Sequence, residues 1–495
     1  MPNNNKSVDM FATKKHSSSI FFNQLEEEKK ANLKHLTLSP IDFFCERQDI
    51  VKAVADHISN KFKDDMLRKD KRREIEQESY KDIRKLFIDQ GITAQEDLLV
   101  QYMNLILADI LGFGVLESLL NNPDITEIMV KSHDCIYVEQ KVGNKSEMVK
   151  TGLRFPSVDN AIGIVNKIIG PLNLTINNAN PNVNAQLPDG SRLSASIPPL
   201  RANGEVSITI RKFSSKVYDL TFYQQKGSST KEMVQFLEAA VKTRNSMLVS
   251  GGTGSGKTTL LNSLSYVIPE KERILTCEDT LELQLQQEHV ESYQTILPNM
   301  EGKGGFNMRQ IIIEALRKRP DRIIVGECRG GEIVEMLNAM NTGHEGSLST
   351  VHANNPRDMV QRVMTMILSN ESTSGLPPSA IMQMLASALD LIVQTNRLSD
   401  GSRKITNITE VVGSGEIGLK KLQSKGFMKN TAEADENRLY LQDIFKFEQT
   451  SVDEDGTVHG QFVTTGYIPY CAEKIRKAGV YMPDEFFEKR VLFTV

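Results

Sequence analysis

The sequence predicts a mixed α/β chain whose largest domain is wound on a parallel sheet, and three observations carry that prediction. Between residues 231 and 400, the apolar runs SMLVS, RILTCED, RPDRIIVGE and GSLSTVHA alternate with stretches of helical pattern. Strands separated by crossover helices make a parallel sheet. A glycine-rich loop, Gly251-Gly252-Thr253-Gly254-Ser255-Gly256-Lys257-Thr258, stands between one of those strands and the helix-forming TLLNSLSYVI. Ahead of it, residues 113–215 have the texture of short strands and turns, and residues 41–111 that of helices.

In chain order, residues 1–40 are rich in Asn, Ser and Lys and read as a mobile tail, with a short helix at EEEKKANLKHL. In the helical region, 41–111, Val51, Val54, Ile58, Phe62 and Met66 recur every three or four positions and make one apolar stripe. Thr93-Ala-Gln-Glu96 has the spacing of a capping box at the start of the helix that ends near Gly112. In the α/β domain, 112–218, DITEIMV and CIYVEQ alternate around a turn and predict a hairpin. The Pro-Asp-Gly turn at 188–190, with RLSASI and VSITIRKF, predicts another strand pair. Residues 219–230 read as a linker. The P-loop domain spans 231–495, with a strand-rich extension from about 401 that closes in polar helical pieces. A chain of 495 residues is long enough for about three such domains.

Composition removes several function classes. With 59 basic and 63 acidic residues the net charge is −4, so the positive excess needed for bulk nucleic-acid binding is absent. Five cysteines stand far apart with no CxxC pair, which supports neither a zinc ribbon nor a disulfide framework and suggests reduced, cytosolic thiols. The polar N-terminus lacks a signal-peptide core. The apolar stretch Leu98–Leu116 carries Gln101, Asn104 and Asp109, too polar for a membrane span. A soluble intracellular protein is expected.

The glycine-rich loop carries the chemistry. It fits G-x-x-x-x-G-K-[ST] in the strand–loop–helix setting that the motif requires. Its glycines let successive N–H groups curl around phosphate oxygens, and the helix N-terminus adds positive potential. Lys257 would bridge the terminal phosphates and the Thr258 hydroxyl, with Thr259 beside it, would face Mg²⁺. ATP with Mg²⁺ is the expected ligand. Two acidic strand ends follow. RIIVGE ends in Glu327, placed to polarise or deprotonate an attacking water, although Gly326 stands where such strands usually carry Asp. Cys277-Glu278-Asp279-Thr280-Leu281-Glu282 either turns Glu278 toward the metal or caps a following helix through Asp279 and Glu282. His344 and His352 do not have zinc-ligand spacing. Arg192 and Arg211 are either ordinary surface arginines or groups that neutralise charge on a γ-phosphate.

Together, GTGSGKTTLLN, CEDTLELQL, ALRKRPDRIIVGECRGGEIVEMLNAMNTGHEGSLSTVHANNPRD, GFGVLESLLNNPDITEIMV and LQDIFKFEQTSVDEDGTVHGQF resemble the type II/type IV secretion ATPase superfamily. The resemblance is strongest to its CpaF/TadA branch, which serves tight-adherence pili, and it covers roughly residues 90–490. It implies a RecA-like ATPase domain and a homo-hexameric ring, peripheral to the cytoplasmic face of the inner membrane and acting on a membrane platform protein. Nucleotide would sit between the two α/β domains. The resemblance assigns the P-loop to Gly251–Thr258, the Asp-box acid to Glu278, the atypical Walker B acid to Glu327 and the His box to His344 and His352. The γ-phosphate arginines match Arg192 and Arg211, with Arg201 a weaker substitute. Two departures stand out: the chain lacks the four-cysteine zinc module of some relatives, and it has Asn184-Ala185-Gln186 where an acid-Ala-Arg triplet is usual. Two other functions fit the same residues, a conjugation-type nucleic-acid motor and a nucleotide-gated scaffold with little hydrolysis.

Overall fold

The computed structural model describes residues 34–35, 38–63, 71–142, 145–213, 217–296 and 303–494. The described chain divides into two compact units, one of residues up to Lys141 together with Glu147–Lys212, the other of Val142–Ser146 and Phe213 onward.

In the first unit, helices α1 (Pro40–Glu46), α2 (Gln48–Lys61), α3 (Arg72–Asp89) and α4 (Glu96–Leu111) precede a six-stranded sheet. Its strands are β1 (Ile125–Ser132), β2 (Cys135–Val142), β3 (Lys145–Lys150), β4 (Asn182–Gln186), β5 (Arg192–Ser196) and β6 (Ser207–Arg211), in spatial order β3-β2-β1-β6-β5-β4. Helix α5 (Val158–Ile169) lies in sequence between β3 and β4. The expected hairpin is β1 against β2, and the second expected pair is β5 against β6, both antiparallel. The helical and α/β segments, read from the sequence as separate domains, share one core. Val51, Val54 and Ile58 of α2 and Tyr102 and Ile106 of α4 belong to the same buried cluster as Ile128, Leu193 and Ile210 of the sheet.

Three local expectations differ. Thr93 is not a helix cap: it pairs in extended conformation with His35, and α4 starts at Glu96 with Gln95 as its uncapped first neighbour. Lys34–His35 form that short parallel pair, and the rest of the helix expected at EEEKKANLKHL lies outside the described residues, as does Met66. The segment expected as a linker carries a short helix, Leu220–Gln225, capped by Asp219. Among the described residues no single helix is long and apolar enough to cross a membrane. The pair Glu96–Leu111 and Gly114–Asn121 passes on length and composition only with a bend of 111°. Tyr102, Met103, Ile106, Leu107 and Ile110 of α4 are buried in the core.

The second unit is built on one ten-stranded sheet. Its strands are β7 (Met247–Gly251), β8 (Ile274–Glu278), β9 (Val290–Gln294), β10 (Arg322–Val325), β11 (Leu348–His352), β12 (Leu391–Arg397), β13 (Arg403–Ser414), β14 (Leu439–Val452), β15 (Val458–Thr464) and β16 (Arg490–Thr494). The spatial order is β9-β8-β10-β11-β7-β12-β13-β14-β15-β16. The first six strands pair in parallel and the last four continue as an antiparallel meander, so the extension from about 401 widens the same sheet. Every residue of β7, β8 and β10 is buried, the pattern of strands covered on both faces. Alternate residues choose the face. Met247 and Val249 join the cluster that contains helices α6 (Lys231–Lys242) and α7 (Lys257–Ser265), whereas Leu248 joins the cluster of α8 (Met308–Leu316), α9 (Ile333–Asn341), α10 (Pro356–Leu368) and α11 (Pro378–Ala388).

At the amino end of these strands lies an ion network with a buried pair at its centre. Arg322, fully buried, donates from Nε and Nη2 to Glu272 at 2.6 and 3.1 Å and from Nη1 to the Gly346 carbonyl at 3.2 Å. Arg244 reaches the same Glu272 at 3.4 Å and Asp321 at 3.1 Å. Removing one partner of a buried pair leaves the other charge stranded, a cost of about 3 kcal/mol or more. Arg322→Ala is therefore expected to lower stability by about that much in urea melts. Arg322→Met with Glu272→Leu, which removes both charges, is expected to recover most of the loss.

Candidate functional site

The glycine-rich loop leaves the carboxyl end of β7 and enters α7. Gly254 and Gly256 take positive φ, +69° and +92°, where a side chain would be strained. Gly251 is constrained by space: a Cβ there would lie 2.4 Å from both the Thr395 carbonyl oxygen and Ser255 Oγ. Ser255 Oγ donates to the Gly252 carbonyl at 2.9 Å, and Thr395 Oγ1 donates to the Ser255 carbonyl at 3.0 Å, tying the loop to itself and to β12. Lys257 is the first residue of α7, and its Nζ donates to the Gly252 carbonyl at 3.1 Å. Thr258 and Thr259 follow in the first helical turn, Thr259 exposed and Thr258 half-buried, while Thr253 is exposed at the loop's tip. Left-handed glycines, a helix N-terminus and a lysine at its first position fit a triphosphate. A hydroxyl at the helix's second position, on a sheet edge that carries acids, fits Mg²⁺.

The parallel register decides which predicted residues share this edge. His352, exposed, lies directly beside Gly251 as the last residue of β11. His344 precedes the same strand. A five-residue strand spans about 16 Å, so His344 lies at the opposite, amino end of the sheet and within one chain is not brought to the loop. Its carbonyl accepts from Ser347 Oγ at 2.7 Å. Glu278 ends β8 and Glu327 follows β10, the strand beside it, so both acids are on the loop's edge.

The two acids are used differently. Glu278 is 2% exposed, and its Oε2 accepts the backbone N–H groups of Glu282 and Leu283 at 2.7 and 2.9 Å. That carboxylate shapes the turn after β8. No helix follows, so the capping role read for Asp279 and Glu282 is not realised. Glu327 is only half-buried, and its Oε2 accepts from Arg329 Nε at 2.7 Å and Nη2 at 2.6 Å. Arg329 also reaches Asp279 Oδ2 from Nη1 at 3.4 Å. Burial works against the charge on Arg329, but its hydrogen bond to Glu327 and the nearby charges of Glu327, Asp279 and Glu282 raise its pKa above the usual arginine value. Cys277 and Cys328, next in sequence to Glu278 and Glu327, are fully buried. Burial, with the Glu278 charge nearby, pushes the Cys277 thiol up to about 12, and burial likewise raises Cys328. Both thiols are enclosed in the core, where Cys328 Sγ lies 3.3 Å from Ser349 Oγ.

In the first unit, Arg192 and Arg211 face each other across β5 and β6, and Glu127 pairs with Arg211 on the other side. Their neighbours Leu193 and Ile210 point into the core, so the two arginines share the sheet's outer face. Like charges directly opposite are unfavourable by some tenths of a kcal/mol, and an anion between them relieves that cost. Arg201 instead donates to the Lys131 carbonyl at 3.2 Å.

Sequence reasoning missed two arginines at the loop. Arg397 and Arg403 pair across the turn between β12 and β13. Arg403 Nε donates to the Gly254 carbonyl at 2.9 Å, and Arg397 Nη1 lies 3.7 Å from where a Gly254 Cβ would be. Their only signal was the spacing in NRLSDGSRK, which predicts a turn but not its neighbour.

With this geometry in place, the comparisons decide the family. Residues 110–452 match the family described as Type II/IV secretion system protein. The chain belongs to it. A Mycobacterium tuberculosis protein whose name assigns it provisionally to conjugal transfer is 31% identical over 312 residues, 62% of this chain and 86% of that protein. The type IV secretion system protein VirB11 of Bartonella quintana is 32% identical over 287 residues, covering 51% of this chain and 80% of VirB11. Among solved structures, the VirB11 ATPase of the Brucella suis type IV secretion system, in complex with sulphate, is similar at 28% identity and a TM-score of 0.33 over 59% of this chain and 92% of that one.

The close approach at Gly251 gives a direct check. Gly251→Ala is expected to displace the loop and abolish binding of a fluorescent ATP analogue. Gly252→Ala, with nothing within 4 Å of the added carbon, is expected to leave the thermal midpoint unchanged.

Proposed function

We propose that the chain is the subunit of a ring-forming ATPase that drives assembly of a tight-adherence-type pilus, or a related secretion system, through a membrane platform protein. The observation that carries the ATPase reading is the shared sheet edge, which holds Lys257, Thr258, Glu327 and His352 together. In this reading the loop N–H groups and Lys257 hold the triphosphate of ATP, and Thr258 holds Mg²⁺, which neutralises charge on the phosphates. Glu278 supports that arrangement from behind by shaping the turn after β8. Glu327 takes a proton from water as the water oxygen bonds to the γ-phosphorus and the bond to the β–γ bridging oxygen breaks. By the family resemblance, Arg192 and Arg211 neutralise charge on the γ-phosphate in the hydrolytic step. The nucleotide can do work only by binding one conformational state more tightly than another. His344 is left out of the single-chain step.

The pilus assignment is supported by the long blocks that resemble the CpaF/TadA branch, and the same resemblance supports a ring of six subunits. A second reading, a motor of a conjugation or type IV secretion system, is favoured by the names of the Mycobacterium and Bartonella relatives. Stimulation of hydrolysis by DNA would favour it, and stimulation by platform-protein fragments the pilus reading.

Turnover of Mg-ATP is expected to rise with protein concentration in step with hexamer mass by light scattering, and to fall at least a hundredfold in Glu327→Gln. A well-folded, ATP-binding hexamer that does not hydrolyse even with the platform protein would leave the scaffold function instead. Arg211→Glu is expected to abolish turnover while leaving binding of the nucleotide analogue within a few-fold of native. Undiminished turnover would refute that role for Arg211.

A further inference from the structure

Arg329 lies in the block GECRGGE, immediately beyond the proposed base, and nothing in the reading above uses it. Its backbone is fixed first. Glu332 Oε1 accepts the N–H groups of Arg329 and Gly330 at 2.6 and 2.8 Å, so the turn after β10 is held by its own side chain. The guanidinium then folds back onto Glu327 through two N–H groups, Nε at 2.7 Å and Nη2 at 2.6 Å, both on Oε2. Its remaining nitrogen, Nη1, extends toward Asp279 on the neighbouring strand end at 3.4 Å. The planar fork spans two strand ends. A glutamate beyond the last ladder pair of β10 would otherwise sample several rotamers, and the paired guanidinium selects one of them.

We infer that Arg329 is a positioning residue for the hydrolytic step: it fixes the direction of the Glu327 carboxylate by gripping Oε2, which leaves Oε1 to receive the proton from water, and Asp279 anchors it. This rests on the reading of Glu327 as the base. A base displaced by about an ångström can lose about a hundredfold in rate without any change in substrate binding. Arg329 holds the base and not the nucleotide, so its loss acts on kcat.

The test uses the full-length chain as Arg329→Ala, Arg329→Lys and Asp279→Asn, with native and Glu327→Gln as references. Arg329→Ala is expected to lower kcat by about tenfold to a hundredfold. KM for Mg-ATP, affinity for a fluorescent ATP analogue and hexamer mass should stay within about twofold of native. Arg329→Lys should recover part of the rate, and millimolar guanidinium chloride should partly rescue Arg329→Ala but not Glu327→Gln. Asp279→Asn should lose less, and combined with Arg329→Ala should lose no more than Arg329→Ala alone. Native-like turnover in Arg329→Ala would overturn the inference, as would a loss that neither lysine nor guanidinium relieves, or one that appears in KM. If the native chain turns over and Glu327→Gln does not, those failures belong to Arg329 alone. If Glu327→Gln hydrolyses normally, the reading of the base itself has failed.

Discussion

The site depends on the contact between Gly251 and the neighbouring strand. Where β7 ends, the chain passes so near Thr395 on β12 that only a hydrogen fits, and Thr395 Oγ1 also holds the loop's Ser255 carbonyl. The loop's course is therefore set by a strand that arrives well over a hundred residues later in sequence. Without that wall the glycines would give only freedom, which favours disorder. With it they give a single curled path that ends in the first turn of α7. The antiparallel extension continues the constraint, because the turn between β12 and β13 carries Arg397 and Arg403 to the loop's outer side.

The sheet has two ends with opposite characters. At the amino end Arg322 and Glu272 are buried and paired, Arg244 and Asp321 carry the network out to the surface, and Arg322 holds the loop at Gly346. At the carboxyl end Glu278 is buried against the turn that follows it, whereas Glu327 and Arg329 pair on a turn that reaches the surface. A parallel sheet collects strand ends of like polarity on one edge, so groups able to meet a ligand gather at its carboxyl end.

What was legible in the sequence was local. The loop, its flanking strand and helix, and the acid after β10 each follow from a contiguous pattern. The two histidines, read together as one box, occupy opposite ends of a five-residue strand. The spacing contained that separation, since residues on either side of a whole strand cannot share an edge. Glu278 was readable as an acid at a strand end but not as a cap for its own following turn, because a capping pattern looks alike before a helix and before an irregular turn. Thr93 has the letters of a cap, yet a strand partner some sixty residues earlier keeps it extended. Arg397, Arg403 and the sharing of one core by the helical and α/β segments are tertiary facts with no periodic trace. The bridge from Arg329 to Asp279 crosses from one strand end to the next, which only the strand order could reveal.

The central claim is that one sheet edge both holds and cuts a nucleoside triphosphate. Electron cryo-microscopy of the full chain with Mg²⁺ and a non-hydrolysable ATP analogue tests it most directly. The triphosphate is expected to be wrapped by Gly251–Thr258, with Lys257 Nζ on the terminal phosphates and the Glu327 carboxylate facing the γ-phosphorus. Nucleotide bound elsewhere, or a γ-phosphate with Glu327 turned away from it in every subunit, would show that this edge does not carry out the hydrolysis.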